Sequence, residues 1–131
     1  MEKTLVIIKP DGVERGLIGE VISRYERKGL KIKECRLINA TKDILEQHYI
    51  EHKEKPFYEG LVSYMMRGPV VVMIVEGNEA IQLVRNINGS TKPTEAAMGT
   101  IRGDFANSVT ENIVHASDSI ESSEREISIW F

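Results

Sequence analysis

Two apolar runs constrain the fold before anything else does. TLVIIK (4–9) is short, continuous and β-branched, and Pro10-Asp11-Gly12 closes it; such a run reads as a strand buried on both faces, followed by a turn. VVVMIVEG (70–77) is the most strand-like segment of the chain. LKIKECRLI (30–38) alternates through Leu30, Ile32 and Glu34 and then drifts into an apolar end, as a half-buried strand would. EISIWF (126–131) reads as a last short strand.

Helical spacing fills the intervals. Ile18, Val21, Ile22 and Tyr25 recur on one face between Leu17 and Lys28, and Gly29 stops the run. TKDILEQHYIEH (41–52) opens with Thr41 as a candidate cap and Asp43 in its first turn. YEGLVSYMM (58–66) is a second helical piece between Pro56 and Arg67-Gly68-Pro69, and NEAIQLVRNI (78–87) a third, with Asn78 as its cap. Residues 88–104 form a long glycine-containing loop, a length that is usually functional or disordered. FANSVTENIV then returns to amphipathic spacing. The order β-α-β, helical insertion, β-α, loop, β predicts an α+β, ferredoxin-like βαββαβ sandwich, in which two helices cover one face of a four-stranded antiparallel sheet. At 131 residues one domain, 1–131, buries enough surface to stand alone.

Charge narrows the partners. Lys plus Arg number 17 against 20 Asp plus Glu, so there is no basic field for non-specific nucleic-acid binding, and any polyanion must be small and locally recognised. Cys35 is the only cysteine, which excludes an internal disulfide and fits a reducing cytosol. The start MEKTLVIIKP is too short in apolar residues for a signal segment, and no run approaches a membrane span. A soluble, cytoplasmic protein is expected.

HYIEH (48–52) matches the H-x-x-E-H zinc-protease pattern, with His48 and His52 on one helical face and Glu51 as a base. A zinc site needs a third ligand, and the blander reading makes Leu45, Tyr49 and Ile50 the buried stripe with both histidines on the wet face. No Walker loop, dinucleotide fingerprint or protein-kinase set is present. Instead Lys9, Arg85 and Arg102 stand at element ends or in the loop, near Gly89, Thr91 and Gly99. Cations with hydroxyl donors clamp a polyphosphate without a Walker loop.

VIIKPDGV, YIEHKEKPFYEGLV, GPVVVMIVEG, GTIRGDF and NIVHASDSIESSEREI, in this order and spacing, resemble the nucleoside diphosphate kinase family over essentially the whole chain. The resemblance implies ping-pong transfer of the γ-phosphate of a nucleoside triphosphate, chiefly ATP, to a histidine and then to a nucleoside or deoxynucleoside diphosphate. It makes His115 the nucleophile, Glu126 the carboxylate that hydrogen-bonds its ring and Ser117 the support. Lys9 and Tyr49 fall beside the transferred phosphate, and Arg85, Thr91 and Arg102 in the diphosphate clamp. Phe57 and Val109 would clamp the base and Asn112 would meet a sugar hydroxyl. Magnesium (Mg2+) would be held chiefly by the nucleotide phosphates, with Asp118 acting through water. The resemblance also implies a homo-oligomer, hexamer or tetramer, with the 88–104 loop in trimer contacts.

Two positions depart from the family pattern. Ala116 stands where glycine is common, and Met98 where many members carry proline. Alanine costs little on right-handed or extended backbone and about 1 kcal/mol or more on left-handed backbone; slowed but surviving transfer is the expectation. Ala116 is also the one feature favouring the alternative, a catalytically weakened nucleotide-binding regulatory domain. Single-stranded RNA binding on an open sheet face would need aromatics on the central strands, and they have none.

Overall fold

The computed structural model describes residues 1–131. Strands β1 (Glu2–Ile8), β2 (Lys31–Ile38), β3 (Val70–Gly77) and β4 (Val114–Ala116) form one antiparallel sheet in the order β2-β3-β1-β4. Between them run helices α1 (Pro10–Glu14), α2 (Ile18–Arg27), α3 (Lys42–His48), α4 (Tyr58–Met65), α5 (Ala80–Asn88), α6 (Ile101–Phe105) and α7 (Ile120–Trp130). With each β-α-β crossover skipping one strand position, this is the ferredoxin-like arrangement expected from the element order.

The two central strands carry unbroken apolar runs, Leu5–Ile8 and Val70–Val75, because both of their faces are covered there. Val6 and Ile8 of β1 and Val71, Met73 and Val75 of β3 pack with Val21 and Tyr25 of α2 and Val84 of α5. On the opposite face Leu5, Ile7, Val70 and Val72 pack with Leu45 of α3, Val62 and Met65 of α4 and Trp130 of α7. The expected pair of helices, α2 and α5, covers one face, and α3, α4 and α7 cover the other. The same layer removes the open sheet face that single-stranded RNA binding would require. β2, at the sheet edge, is a strand as expected but mostly exposed, with only Ile32 and Ile38 partly covered.

The C-terminal strand predicted at 126–131 is instead the end of α7, and the fourth strand is 114–116. Over six residues EISIWF satisfies both periods. Ser119 decides for the helix, because its Oγ accepts the Ser122 N–H at 3.0 Å and starts a turn that puts Ser123, Glu126 and Trp130 on one buried face. The stretch FANSVTENIV, whose spacing is amphipathic, is irregular chain from Ala106 to Ile113. Pro10-Asp11-Gly12 opens α1, with proline at its first position, rather than making a plain turn. The 88–104 loop is shorter than expected, since α5 extends to Asn88 and α6 begins at Ile101. Asn78 does not cap α5; Glu79 precedes it in left-handed conformation without a side-chain bond.

Candidate active site

His115 lies at the middle of β4, opposite Ile7 of β1. Val114 and Ala116 are buried in the core on the α2/α5 side, so alternation turns the imidazole to the other face, toward α3 and α7. There Glu126, two turns into α7 and 5% exposed, places Oε1 2.9 Å from His115 Nε2. Ser117 Oγ donates to the same Oε1 at 2.9 Å and accepts the Leu5 N–H at 3.2 Å, which fixes the carboxylate to β1. Oε2 faces Arg125 Nη2 at 3.7 Å. With Glu126 as acceptor, Nε2 carries the proton and Nδ1 keeps its lone pair.

His48 ends α3 and is buried, not on the wet face predicted for it; Ile50, placed in the buried stripe, is 51% exposed. The Trp130 indole N–H donates to His48 Nδ1 at 3.0 Å, and the His48 ring stands edge-on to His115 with centroids 4.7 Å apart. Burial above all, with the charges of Arg125 and Lys9 nearby, holds the His48 pKa down at about 2, so the ring is neutral. His48, His115 and Glu126 lie close enough to suggest a metal site. The hydrogen bonds of His48 argue against one: its Nδ1 accepts from Trp130, so the neutral ring carries its proton on Nε2 and has no lone pair left for a metal.

These groups form the wall of a cavity of about 450 Å³ lined by 21 residues, only three of them hydrophobic. Lys9, Tyr49, Arg85, Thr91, Arg102, Asn112, His115, Asp118 and Glu126 all border it. Lys9 follows β1, at the cap of α1, and donates from Nζ to Asn112 Oδ1 at 2.9 Å. Burial, then the neighbouring Arg102, lowers its pKa to about 8. Arg102 on α6 is 7% exposed, donates to the Gly89 and Val114 carbonyls at 2.7 and 2.6 Å, and has a buried Nε without a partner. Burial lowers its pKa to about 10. Gly89 has φ +86, and a side chain there would collide with Thr100 at the cap of α6. Tyr49 is buried, and burial followed by the charge of Glu126 pushes its phenol up. Asp118 at the rim is held below the ordinary carboxylate range, chiefly by a hydrogen bond from Ser122.

Three expected residues do not border the cavity. Ser117 sits behind Glu126, while Phe57 and Val109 are exposed on the surface. Phe57 still packs 5.3 Å from the ring of His52, which does line the cavity and whose buried Nδ1 has no partner. Sequence reasoning missed His48 and His52 as cavity residues. Their four-residue spacing, set aside with the zinc motif, was the available signal.

A sequence model described as nucleoside diphosphate kinase matches residues 2–131. The chain belongs to the nucleoside diphosphate kinase family. It is 59% identical, over all of its length and 97% of the relative's, to a nucleoside diphosphate kinase of Thermoanaerobacter sp. (strain X514). To that of Archaeoglobus fulgidus it is 58% identical over all of this chain and 87% of the relative. Among solved structures, a family protein from Babesia bovis superposes with TM-score 0.97 at 52% identity, covering 100% of this chain and 88% of that one. A Halobacterium salinarum nucleoside diphosphate kinase in complex with CDP gives 0.96 at 45% identity, covering 99% and 87%.

The departure at Ala116 brings no backbone strain in this fold. Ala116 does not adopt positive φ, its backbone is paired with Val6 in the sheet, and its methyl is buried in the core on the face away from His115. The expected slowing of transfer therefore loses its cause. Met98 is 82% exposed, but the loop around it is tied to α2, with Arg24 donating to the Gly99 carbonyl at 2.9 Å and pairing with Asp104 at 2.9 Å.

Proposed function

We infer that the cavity carries out the phosphotransferase reaction of the family, with His115 as the group that holds the phosphoryl in transit. The observation that carries this reading is the orientation of His115: Nε2 bonded to a buried carboxylate at 2.9 Å, leaving Nδ1 as the free nucleophile. The Nδ1 lone pair attacks the γ-phosphorus of a nucleoside triphosphate, the bond to the β–γ bridging oxygen breaks, and the diphosphate leaves with that oxygen's charge. A second nucleoside or deoxynucleoside diphosphate then attacks the phosphohistidine through its terminal β-oxygen. Glu126 stabilises the positive charge that develops on the ring, and the neutral His48 beside it adds none in opposition.

Lys9, Arg85 and Arg102, with the Thr91 hydroxyl, supply cation and donor to the phosphates. Tyr49, kept protonated by burial, donates its hydroxyl beside the transferred group. Phe57 and Val109 flank the base from outside the cavity and Asn112 meets the sugar; an aromatic face reads stacking and not base edges, so all bases are accepted. Asp118 is one anionic carboxylate at the rim. It fits Mg2+ held mainly by phosphate oxygens, which neutralises phosphate charge when bound.

The family model spans the chain and supports a single domain over 1–131. A homo-oligomer, hexamer in first place and tetramer in second, and a cytoplasmic setting follow from family membership. The lone Cys35 and the lack of any helix long and apolar enough to cross a membrane agree with that setting. The test is kinetic: initial rates against ATP at several GDP concentrations should give parallel double-reciprocal lines, and γ-labelled ATP should leave acid-labile, alkali-stable label that GDP discharges. Intersecting lines with no label on the protein would sink the reading.

A further inference from the structure

Arg67 lies in the turn after α4, where the sequence used Arg67-Gly68-Pro69 only as a helix stop. Its guanidinium is bidentate on Glu14 of α1, Nε to Oε2 at 3.0 Å and Nη2 to Oε1 at 2.8 Å, and Nη2 also bonds Glu111 Oε1 at 3.0 Å. The group lies 5.0 Å above the ring of Tyr64, whose hydroxyl donates to Asp11, buried on α1. None of these residues borders the cavity.

What Arg67 holds is the irregular segment Ala106–Ile113, which carries Val109 and Asn112. The segment ends at Ile113 with φ +78, where the Val114 N–H bonds the Asn112 carbonyl at 2.9 Å, a γ-turn of the strained, positive-φ kind on a β-branched residue. Such a conformation persists only where the surroundings over-determine it. On the buried side Lys9 supplies two ties, its N–H to the Ile113 carbonyl at 2.7 Å and its Nζ to Asn112. On the solvent side, from Asn107 to Glu111, the ion pair of Arg67 with Glu111 is the only bond to another element of the fold.

We propose that Arg67 is a positioning residue for the nucleotide: by bridging Glu14 and Glu111 it pins the segment bearing Val109 and Asn112 against α1, the helix that starts from Lys9. Single exposed ion pairs are worth little, but bidentate geometry and a shared cation in a three-group network are the exceptions. Without Arg67, Glu111 becomes an unneutralised carboxylate next to the residue that meets the sugar. The proposal rests on the reading of the cavity given above.

The experiment is steady-state kinetics of the parent, Arg67→Met, Glu111→Gln and the double variant, at low and high salt, with melting temperatures alongside. Arg67→Met should raise the GDP KM about three- to ten-fold, with kcat within about two-fold and little change in melting temperature. The double variant should be no worse than Arg67→Met, and Arg67→Lys should recover only part of the loss, since an ammonium cannot be bidentate. Added salt should raise the parent's KM more steeply than that of Arg67→Met. An unmoved KM, single effects that multiply in the double variant, or a KM change that merely follows loss of stability would overturn the proposal. If the parent forms labelled phosphohistidine and Arg67→Met leaves KM unmoved, only the role of Arg67 falls; a parent that takes no label removes the cavity reading itself.

Discussion

Replacing Glu126 with glutamine isolates what the carboxylate charge does for His115. Glutamine keeps the shape, and its Oε1 still accepts from His115 Nε2 and Ser117 Oγ, both at 2.9 Å in the parent. Its amide would take the Oε2 place that faces Arg125 at 3.7 Å. What is lost is the negative charge beside the ring as the ring turns cationic. A charge-assisted bond is worth about 1.5–3 kcal/mol and a neutral one about 0.5–1.5 kcal/mol, so the barrier should rise by about 1.5 kcal/mol. That is about ten-fold in rate. Rapid-quench measurement of phosphohistidine formation at saturating ATP should show this slowing, with the ATP concentration for half-saturation unchanged. A rate within two-fold of the parent, or a loss confined to half-saturation, would refute the assignment of Glu126 to charge stabilisation.

Stability should depend on pH through His48. Its ring titrates at about 2 in the fold against about 6.5 unfolded, so the unfolded chain takes up a proton that the fold refuses. Stability from this group is complete above about pH 6.5 and falls by up to about 1.4 kcal/mol per unit as pH drops toward the folded value; urea melts of His48→Gln should flatten that slope between about pH 6 and 4. Lys9, lowered to about 8, is a cation below that pH and loses its charge above it. The kcat/KM for ATP should therefore fall above about pH 8, and Lys9→Arg should carry the plateau to higher pH. Ala116→Gly should leave turnover within about two-fold and cost about 1 kcal/mol of stability, since glycine weakens a strand without helping the imidazole on the other face. A marked gain in turnover would mean that the methyl does crowd the site.

Both central strands were legible because their composition states their environment: VVVMIVEG coincides with β3, and its apolar run from Val70 to Val75 reflects helices on both faces. EISIWF was misread because six residues do not separate a period of two from one of 3.6, and the deciding signal, Ser119, lies seven residues upstream of Glu126. His48 was misplaced for a different reason. Helix periodicity put it beside the buried stripe, and only Trp130, distant in sequence, makes its burial affordable through a hydrogen bond. The γ-turn at Ile113 had no sequence signal at all, since a β-branched residue is the last expected at positive φ. Lys9, Arg102 and His115, which border the cavity, fall within the ordered motifs, whereas the Glu14, Arg67 and Glu111 network joins three segments that no local pattern connects.

The central claim is that His115 accepts the phosphoryl group on the nitrogen that Glu126 leaves free. Phosphorus and nitrogen-15 NMR of the enzyme after reaction with ATP, alongside His115→Ala, tests it most directly. The expected result is about one phosphohistidine per chain, bonded through Nδ1, absent from the variant and discharged by GDP. A phosphoryl group on Nε2, or on any residue that the variant retains, would contradict it.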